Sequence, residues 1–280
     1  MRRVTVSQIS LEELEQWIRL YETGQDLSYT PISPKDLRSL LRSMPGSQLL
    51  MAYSRGIPVA ACRVTRTETR DTLICDFSIR HGEEQEARSL VCRVMERARD
   101  EGSRRVKMWI SDNNEELGDI AASFDMEVYD IRTLLELSCP RREDEAGRST
   151  TLLTRHNNSV RLESKLDEGQ IPLPYLLEIS RYGYVNQFET TLRGNVHLDI
   201  FTSKRRRGDA WLIVGHRGPE TSRCAEVSKE DVVDVVHELA RLGVRKIRCH
   251  THTDHSLKGP LTDAGFETVT NTFLVGLELL

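Results

Sequence analysis

The segments "EGSRRVKMW" and "LGVRKIRCH" match in character, each running from a glycine through a spacer and two cations to a β-branched residue and a third cation. Gly102 anchors the first and Gly243 the second, 141 residues apart. Each joint follows an amphipathic helical pattern. Ala87, Leu90, Val91, Val94, Met95 and Ala98 recur at helical spacing ahead of Gly102, as do Val232, Val235, Val236 and Leu239 ahead of Gly243. Ser228 and Asp231 are spaced as a capping box at the start of the second helix. Both glycines are placed to end their helices in the left-handed conformation. A repeat this long is a duplicated domain, not a solenoid unit.

The polar stretch "SCPRREDEAGRST", residues 138–150, nearly bisects the sequence and reads as a linker. It separates an expected N-terminal lobe, 1–137, from a C-terminal lobe, 151–280. In the first lobe the pattern predicts a helix from Leu11 to about Thr23 and another from Pro34 to Ser43, capped by Ser33 with proline in its first turn. Two strands follow around the Ser-Arg-Gly turn of "QLLMAYSRGIPVAACRV", and a third in "TLICDFSIR". The second lobe offers a helix in "LPYLLEIS" and strands in "VHLDIFT", "AWLIVGH" and "SRCAEV". After each joint come a short helix and a long closing strand, "MEVYDIRTLLEL" or "ETVTNTFLVGLEL". Each lobe reads β-α-α-β-β-β-α-β-α-β. The class is α/β of the α+β type, with a mixed, largely antiparallel sheet flanked by helices.

At 280 residues, with 38% hydrophobic and 29% charged side chains, the chain suits two globular lobes. A net charge of −4 gives no general drive toward nucleic acid or anionic lipid. No apolar run is long enough to span a bilayer, and "MRRVTVSQIS" lacks the apolar core of a secretory signal. The cysteines form no CxxC pair, and four of them sit in apolar runs. The expectation is a cytoplasmic protein with reduced thiols.

In its order of elements the chain resembles the GNAT superfamily of acyl-CoA-dependent N-acyltransferases, and in its tandem layout the two-lobed members of the mycothiol synthase type. "SQLLMAYSRGIPVAACRV" is similar to the family's second-to-third-strand hairpin, and "GFETVTNTFLVGLEL" to its closing segment. Asn114 falls where many members carry an Asn after the fifth strand. The resemblance implies that acetyl-CoA or another acyl-CoA binds in the N-terminal lobe and passes its acyl group to a small-molecule or peptide amine. Family members hold the CoA diphosphate with a Q/R-x-x-G-x-G/A loop before the long helix, whose amides act with the helix N-terminus. Here that pattern falls on Gly82, Gln85 and Ala87, of which Ala87 alone fits. Glu83, Glu84 and Glu86 share the turn with Arg80, His81 and Arg88. The second lobe's counterpart, "AEVSKEDVV", has no glycine.

The family's proton donor, a Tyr on the short helix, falls on Ala121 in the first lobe and Leu261 in the second, so no catalytic residue carries over. For binding, the resemblance implies a pantetheine arm between parted fourth and fifth strands. Phe77, Ser78, Ile79 and Arg80 would lie on one side of it, with Asn113 and Asn114 on the other. The diphosphate would approach Gln85, Ala87 and Arg88. Two functions follow: an N-acyltransferase, or a non-catalytic GNAT-fold binding or assembly protein that has lost CoA chemistry. Neither reading involves a membrane or calls for nucleic acid, and homo-oligomerisation is left open.

One motif points elsewhere. "CHTHTDHSLKG" contains His250, His252, Asp254 and His255 in the HxHxDH pattern of metallo-β-lactamase-type hydrolases. In those folds the loop lies early and further ligands follow, whereas here no His follows His255. The duplication aligns His250 and His252 with Trp109 and Ser111 at a strand end, and the hydrolase reading fails. Residues two apart share one strand face, so His250 and His252 offer at most two ligands, with Asp254 or His255 as a third. A polar strand end explains them as well, and no metal ligands are assigned. "KRRRG", Lys204 to Gly208, reads as a solvated hairpin turn, with phosphate contact as the alternative. "SRYGYVNQF" places Tyr182, Tyr184, Asn186 and Gln187 either along a pocket or in the core.

Overall fold

The computed structural model describes residues 4–10, 13–23, 31–44, 46–139, 153–155, 160–166, 171–193, 196–216, 227–252 and 257–279. The chain forms two compact units. One comprises Met1–Asp130, Asp167–Glu178 and Thr272–Leu280, and the other Ile131–Leu166 and Ile179–Asn271.

In the first unit the order is β1 (Val4–Gln8), α1 (Leu14–Thr23), α2 (Pro34–Ser43), β2 (Gln48–Ser54), β3 (Ile57–Arg66), β4 (Thr72–Ile79), α3 (Glu84–Asp100), β5 (Arg105–Ser111) and α4 (Glu115–Ser123). Its strands pair in the order β1-β2-β3-β4-β5-β12, where β12 is Glu267–Glu278. All these pairings are antiparallel except the parallel β4–β5. Arg55 and Gly56 both have positive φ, 54° and 78°, at the two-residue turn between β2 and β3. That is the turn geometry whose twist matches a hairpin. The helical stripe read from the sequence, Ala87 to Ala98 on α3, is buried against one sheet face with Leu50, Cys62 and Ile74. On the other face Trp17 and Tyr21 of α1 stack 5.4 Å apart. They pack with Leu37 and Leu40 of α2, Met51 and Leu173.

The second unit holds most of β6 (Glu127–Ser138), then β7 (Thr154–Arg155), β8 (Val185–Thr191), β9 (Val196–Thr202), β10 (Asp209–His216), α6 (Lys229–Arg241), β11 (Lys246–His252) and α7 (Lys258–Asp263). The helix α5 (Leu173–Tyr182) precedes β8. Read from its outer strand, this sheet runs β7-β8-β9-β10-β11-β6, with β10–β11 parallel. The order repeats that of the first unit strand for strand. The helix ends repeat as well. Gly102 N donates to Arg99 O and Ser103 N to Ala98 O, while Gly243 N donates to Ala240 O and Val244 N to Leu239 O. Gly102 and Gly243 adopt φ of 70° and 89° there.

Three differences from the sequence reading stand out. First, the closing strands are exchanged: β12, from the C-terminal half, pairs with β5, and β6, from the N-terminal half, pairs with β11. The units therefore cut across lobes divided at 138–150. Thr272 lies opposite Ser111 as Arg132 lies opposite His252, so the exchange preserves register. Two strands of like length and pattern fit either sheet, which hides the choice from local sequence. Second, "VNQFETT" is the strand β8; a register shift between Asn186 and Phe188 breaks the alternation that would have announced it. Third, most of "SRCAEV" and residues 140–150 lie outside the described residues.

Candidate functional site

Parallel pairing between β4 and β5 consists of Thr72 with Val106, Leu73 with Lys107 and Ile74 with Met108. Beyond Ile74, β4 stays paired with β3 as far as Ile79 but has no further register partner on β5. The strands part. Just past that point β4 carries a bulge, with Asp76 in the left-handed region at φ 52°. An aspartate tolerates that conformation better than most residues. Its carboxylate accepts from Arg63 Nε at 2.6 Å, and both side chains are almost wholly buried. The bulge bends the strand, and the ion pair holds the bend.

The residues beyond the bulge have different tasks. Phe77 and Ile79 face the α3 core. Ser78 is buried and donates through Oγ to Leu20 O at 2.9 Å. Their backbone, not their side chains, borders the gap toward β5. Arg80 is exposed and opens a turn closed by Glu83 N donating to Arg80 O. Gly82 sits third in that turn at φ 82°, a conformation that favours glycine. Glu83 is the N-cap residue of α3 and makes no side-chain cap. The amides of the first turn thus lack intrahelical acceptors and face outward with the positive end of the helix. Gln85 and Arg88 are exposed on this turn; Ala87 is fully buried and its N–H donates to Glu83 O. An open groove of about 810 Å³ runs beside the helix, lined by Gly82, Gln85, Arg88, Ser89, Cys92 and Arg93 among others.

Glu84 and Glu86 both line this groove, in different surroundings. Glu86 is buried and accepts from Ser54 Oγ at 3.3 Å. His81 Nδ1 lies 2.7 Å from Glu116 Oε1 on α4, with Glu84 close by. The hydrogen bond with Glu116 and its charge raise the His81 pKa above the ordinary imidazole value. Asn114 is the N-cap of α4, where its Oδ1 accepts from Leu117 N at 3.1 Å.

The second unit differs at both places: its strands part later, β10 running on from Val214 to His216 beside β9 alone, and its helix start is capped. β10 and β11 pair over five rows, through Ile213 with His250. The N-terminus of α6 is closed by its own capping box: Ser228 Oγ accepts from Asp231 N, and Asp231 Oδ2 from Ser228 N. "KRRRG" is a β9–β10 turn in which Arg205 and Arg206 are held locally, Arg205 Nη1 donating to Arg181 O at 3.2 Å, while Lys204 and Arg207 are exposed. Ser203 Oγ accepts from the amides of Arg205 and Arg206, and Arg206 pairs with Asp209 at 2.8 Å over the Tyr182 ring. Tyr184 is fully buried in the core, and Asn186 is buried beside Asp199.

Solved structures with this arrangement span the whole chain. A tandem GNAT protein from the clavulanic acid biosynthesis pathway superposes with a TM-score of 0.60 at 14% identity, covering 99% of this chain and 98% of that one. A GCN5-related N-acetyltransferase from Sphaerobacter thermophilus gives 0.60 at 13%, covering 98% and 95%. The chain has a tandem GNAT fold. No protein-family model and no curated protein sequence matches it.

Ala121, where the sequence resemblance would place a tyrosine on α4, is buried in the α3 core, and Leu261, its counterpart, is buried likewise. His250 is buried and His252 half-buried on β11. Neither joins a convergent group of three ligand atoms among the described residues, and Asp254 and His255 lie outside them. Arg63 and Asp76 are the residues the sequence reading missed. The available signal was a charge inside each of two apolar strand runs. Among the described residues, no helix is long and apolar enough to cross a membrane.

Proposed function

We propose that the first unit is an acyl-CoA-dependent N-acyltransferase, acting on a small amine or other amino-bearing acceptor. The observation that carries this reading is the parting of β4 and β5 after Ile74 and Met108, next to the uncapped N-terminus of α3. The two features fit the two halves of CoA. Backbone groups of residues 75–79 border a gap suited to an extended amide-bearing chain. First-turn amides, the Gly82 turn and the exposed cations Arg80 and Arg88 suit a diphosphate. The thioester supplies an acyl group already activated toward amines. The protein's part is to hold that group and the amine in line, and to aim backbone N–H groups at the carbonyl oxygen as charge develops.

Ala121 supports a second reading, a GNAT-fold binding protein without chemistry, since no hydroxyl stands at that place on α4. Calorimetric titration with acetyl-CoA and longer acyl-CoAs, paired with a thiol-release assay over a panel of amines, separates the two. Saturable binding with amine-dependent thiol release supports the transferase. Binding without release favours the second reading, and no binding removes the first unit as a CoA site.

A further inference from the structure

We propose that Glu189, His197 and Asp199 in the second unit form a binding site for a divalent transition-metal ion, for which zinc is the test ion. Glu189 on β8 lies directly opposite Asp199 on β9, and His197 lies two residues along β9 on the same face. All three donor atoms fall within 4.8 Å of one another. His197 Nε2 is 3.4 Å from Glu189 Oε2 and 3.3 Å from Asp199 Oδ1.

Those separations are longer than a tight ion pair and suit an ion between the donors. Charge-assisted N–H···O bonds settle near 2.7–2.9 Å. Donors arranged tetrahedrally around zinc, at bonds of about 2.0–2.2 Å, stand about 3.3–3.6 Å apart. Both separations from His197 match the second spacing, the one to Asp199 being also within reach of a long hydrogen bond. Two carboxylates facing each other across a ladder also repel, and a dication between them relieves that repulsion.

Asn186 is the independent observation. It is 6% exposed, and its Nδ2 donates to Asp199 Oδ1 at 2.9 Å. Its Oδ1 is buried with no hydrogen-bond partner among the described residues. As it stands, the amide orients a ligating carboxylate in the way outer partners of metal ligands do. A half-turn of the carboxamide presents the stranded oxygen to the ion as a fourth ligand. Side-chain exposures of 18% for Glu189, 9% for His197 and 17% for Asp199 leave an ion a way in while excluding most water. The donor set of one imidazole and two carboxylates suits zinc and its neighbours in the first transition row.

The test uses full-length protein stripped with EDTA, titrated with zinc against a chromophoric chelator. The wild type, Glu189→Gln, Asp199→Asn and His252→Ala are compared, with near-UV circular dichroism as the check on folding. The expected result is one zinc per chain in the wild type and in His252→Ala, weakened by at least about tenfold in each of the other two. No saturable binding by the wild type overturns the proposal. So does binding that Glu189→Gln and Asp199→Asn leave intact, or that His252→Ala abolishes. Should a variant misfold, imidazole NMR of the wild type answers the same question: zinc must shift the His197 resonances, and shifts confined to other histidines overturn the assignment.

Discussion

Arg63 Nε donates to Asp76 Oδ2 at 2.6 Å, joining β3 to the bulge of β4 with both side chains buried. Arg63 also reaches Ser47 Oγ and Met44 Sδ through Nη1. The pair sits where β4 changes direction, and its loss affects both stability and the shape of the gap. Asp76→Ala is expected to cost about 3–5 kcal/mol, because it leaves a buried guanidinium without its counter-charge. Asp76→Asn keeps a side chain tolerant of positive φ and isolates the electrostatic part. Urea denaturation of the three proteins measures both quantities. Equal stability of Asp76→Ala and wild type would falsify the structural role.

A second buried carboxylate predicts a pH response. Asp71 lies 2.7 Å from Lys107 Nζ and 3.2 Å from Arg105 Nε. Burial pushes its pKa up, but the hydrogen bonds and charges of Lys107 and Arg105 outweigh burial and hold it below the ordinary value. A depressed carboxylate contributes stability that is fully present above its unfolded pKa, about 3.9. That contribution is lost as pH falls through the lower folded value. Asp71→Asn should therefore melt well below wild type at pH 6, with the gap narrowing below about pH 4. A gap that stays constant from pH 6 to pH 3 contradicts the assignment.

His81 titrates in the opposite sense. Its partner Glu116 raises the imidazole pKa, so the pair's contribution is present below the unfolded value of about 6.5 and is lost as pH rises through the folded one. In Glu116→Gln the His81 midpoint should fall back toward 6.5, as followed by NMR. A midpoint that does not move shows that the contact is absent in solution.

The proposed anion site makes a charge prediction. Each charge-assisted contact to a diphosphate is worth about 1.5–3 kcal/mol, so Arg88→Glu should weaken acyl-CoA binding by about tenfold or more. Calorimetry on the variant reads this directly. Unchanged affinity moves the diphosphate away from α3.

Gly276 tests the exchanged strand. A Cβ there would stand 2.7 Å from Val106 O and 2.9 Å from Lys107 Cγ. Backbone oxygen cannot retreat as a flexible side chain can, so Gly276→Ala should destabilise the protein by about 1–3 kcal/mol through overpacking. Denaturant midpoints of wild type and variant decide it.

Much of this fold was legible because its signals are local. The α3 and α6 stripes, the Ser228–Asp231 box and the glycines at 102 and 243 each state their structure within a few residues. The cation pattern that revealed the duplication also has a structural cause. Lys107 meets Asp71 at the start of β4, and Arg248, its counterpart, lies 3.8 Å from Asp209 at the start of β10. What stayed hidden depends on distant partners. Arg63 and Asp76 need the β3–β4 register before they can be paired, and Ser78 and Glu86 find their partners 58 and 32 residues away. His197 and Asp199 have same-face spacing on β9, but Glu189 cannot be joined to them from sequence, because a register shift at β8 decides which of its residues share their face.

The exchanged closing strands bear on how the chain is made. While residues before Thr272 are still the last to have left the ribosome, β5 carries an unpaired edge. Its partner β12 follows every other strand named here in chain order. The N-terminal unit thus cannot finish folding first, although its helices and first five strands are already available. Completion waits on a pairing between residues more than about 150 positions apart, the longest in range among the described strand pairs, which makes closure slow by topology. A chain cut between the two closing strands leaves one fragment with an open sheet and the other with a strand that has no place in its own half.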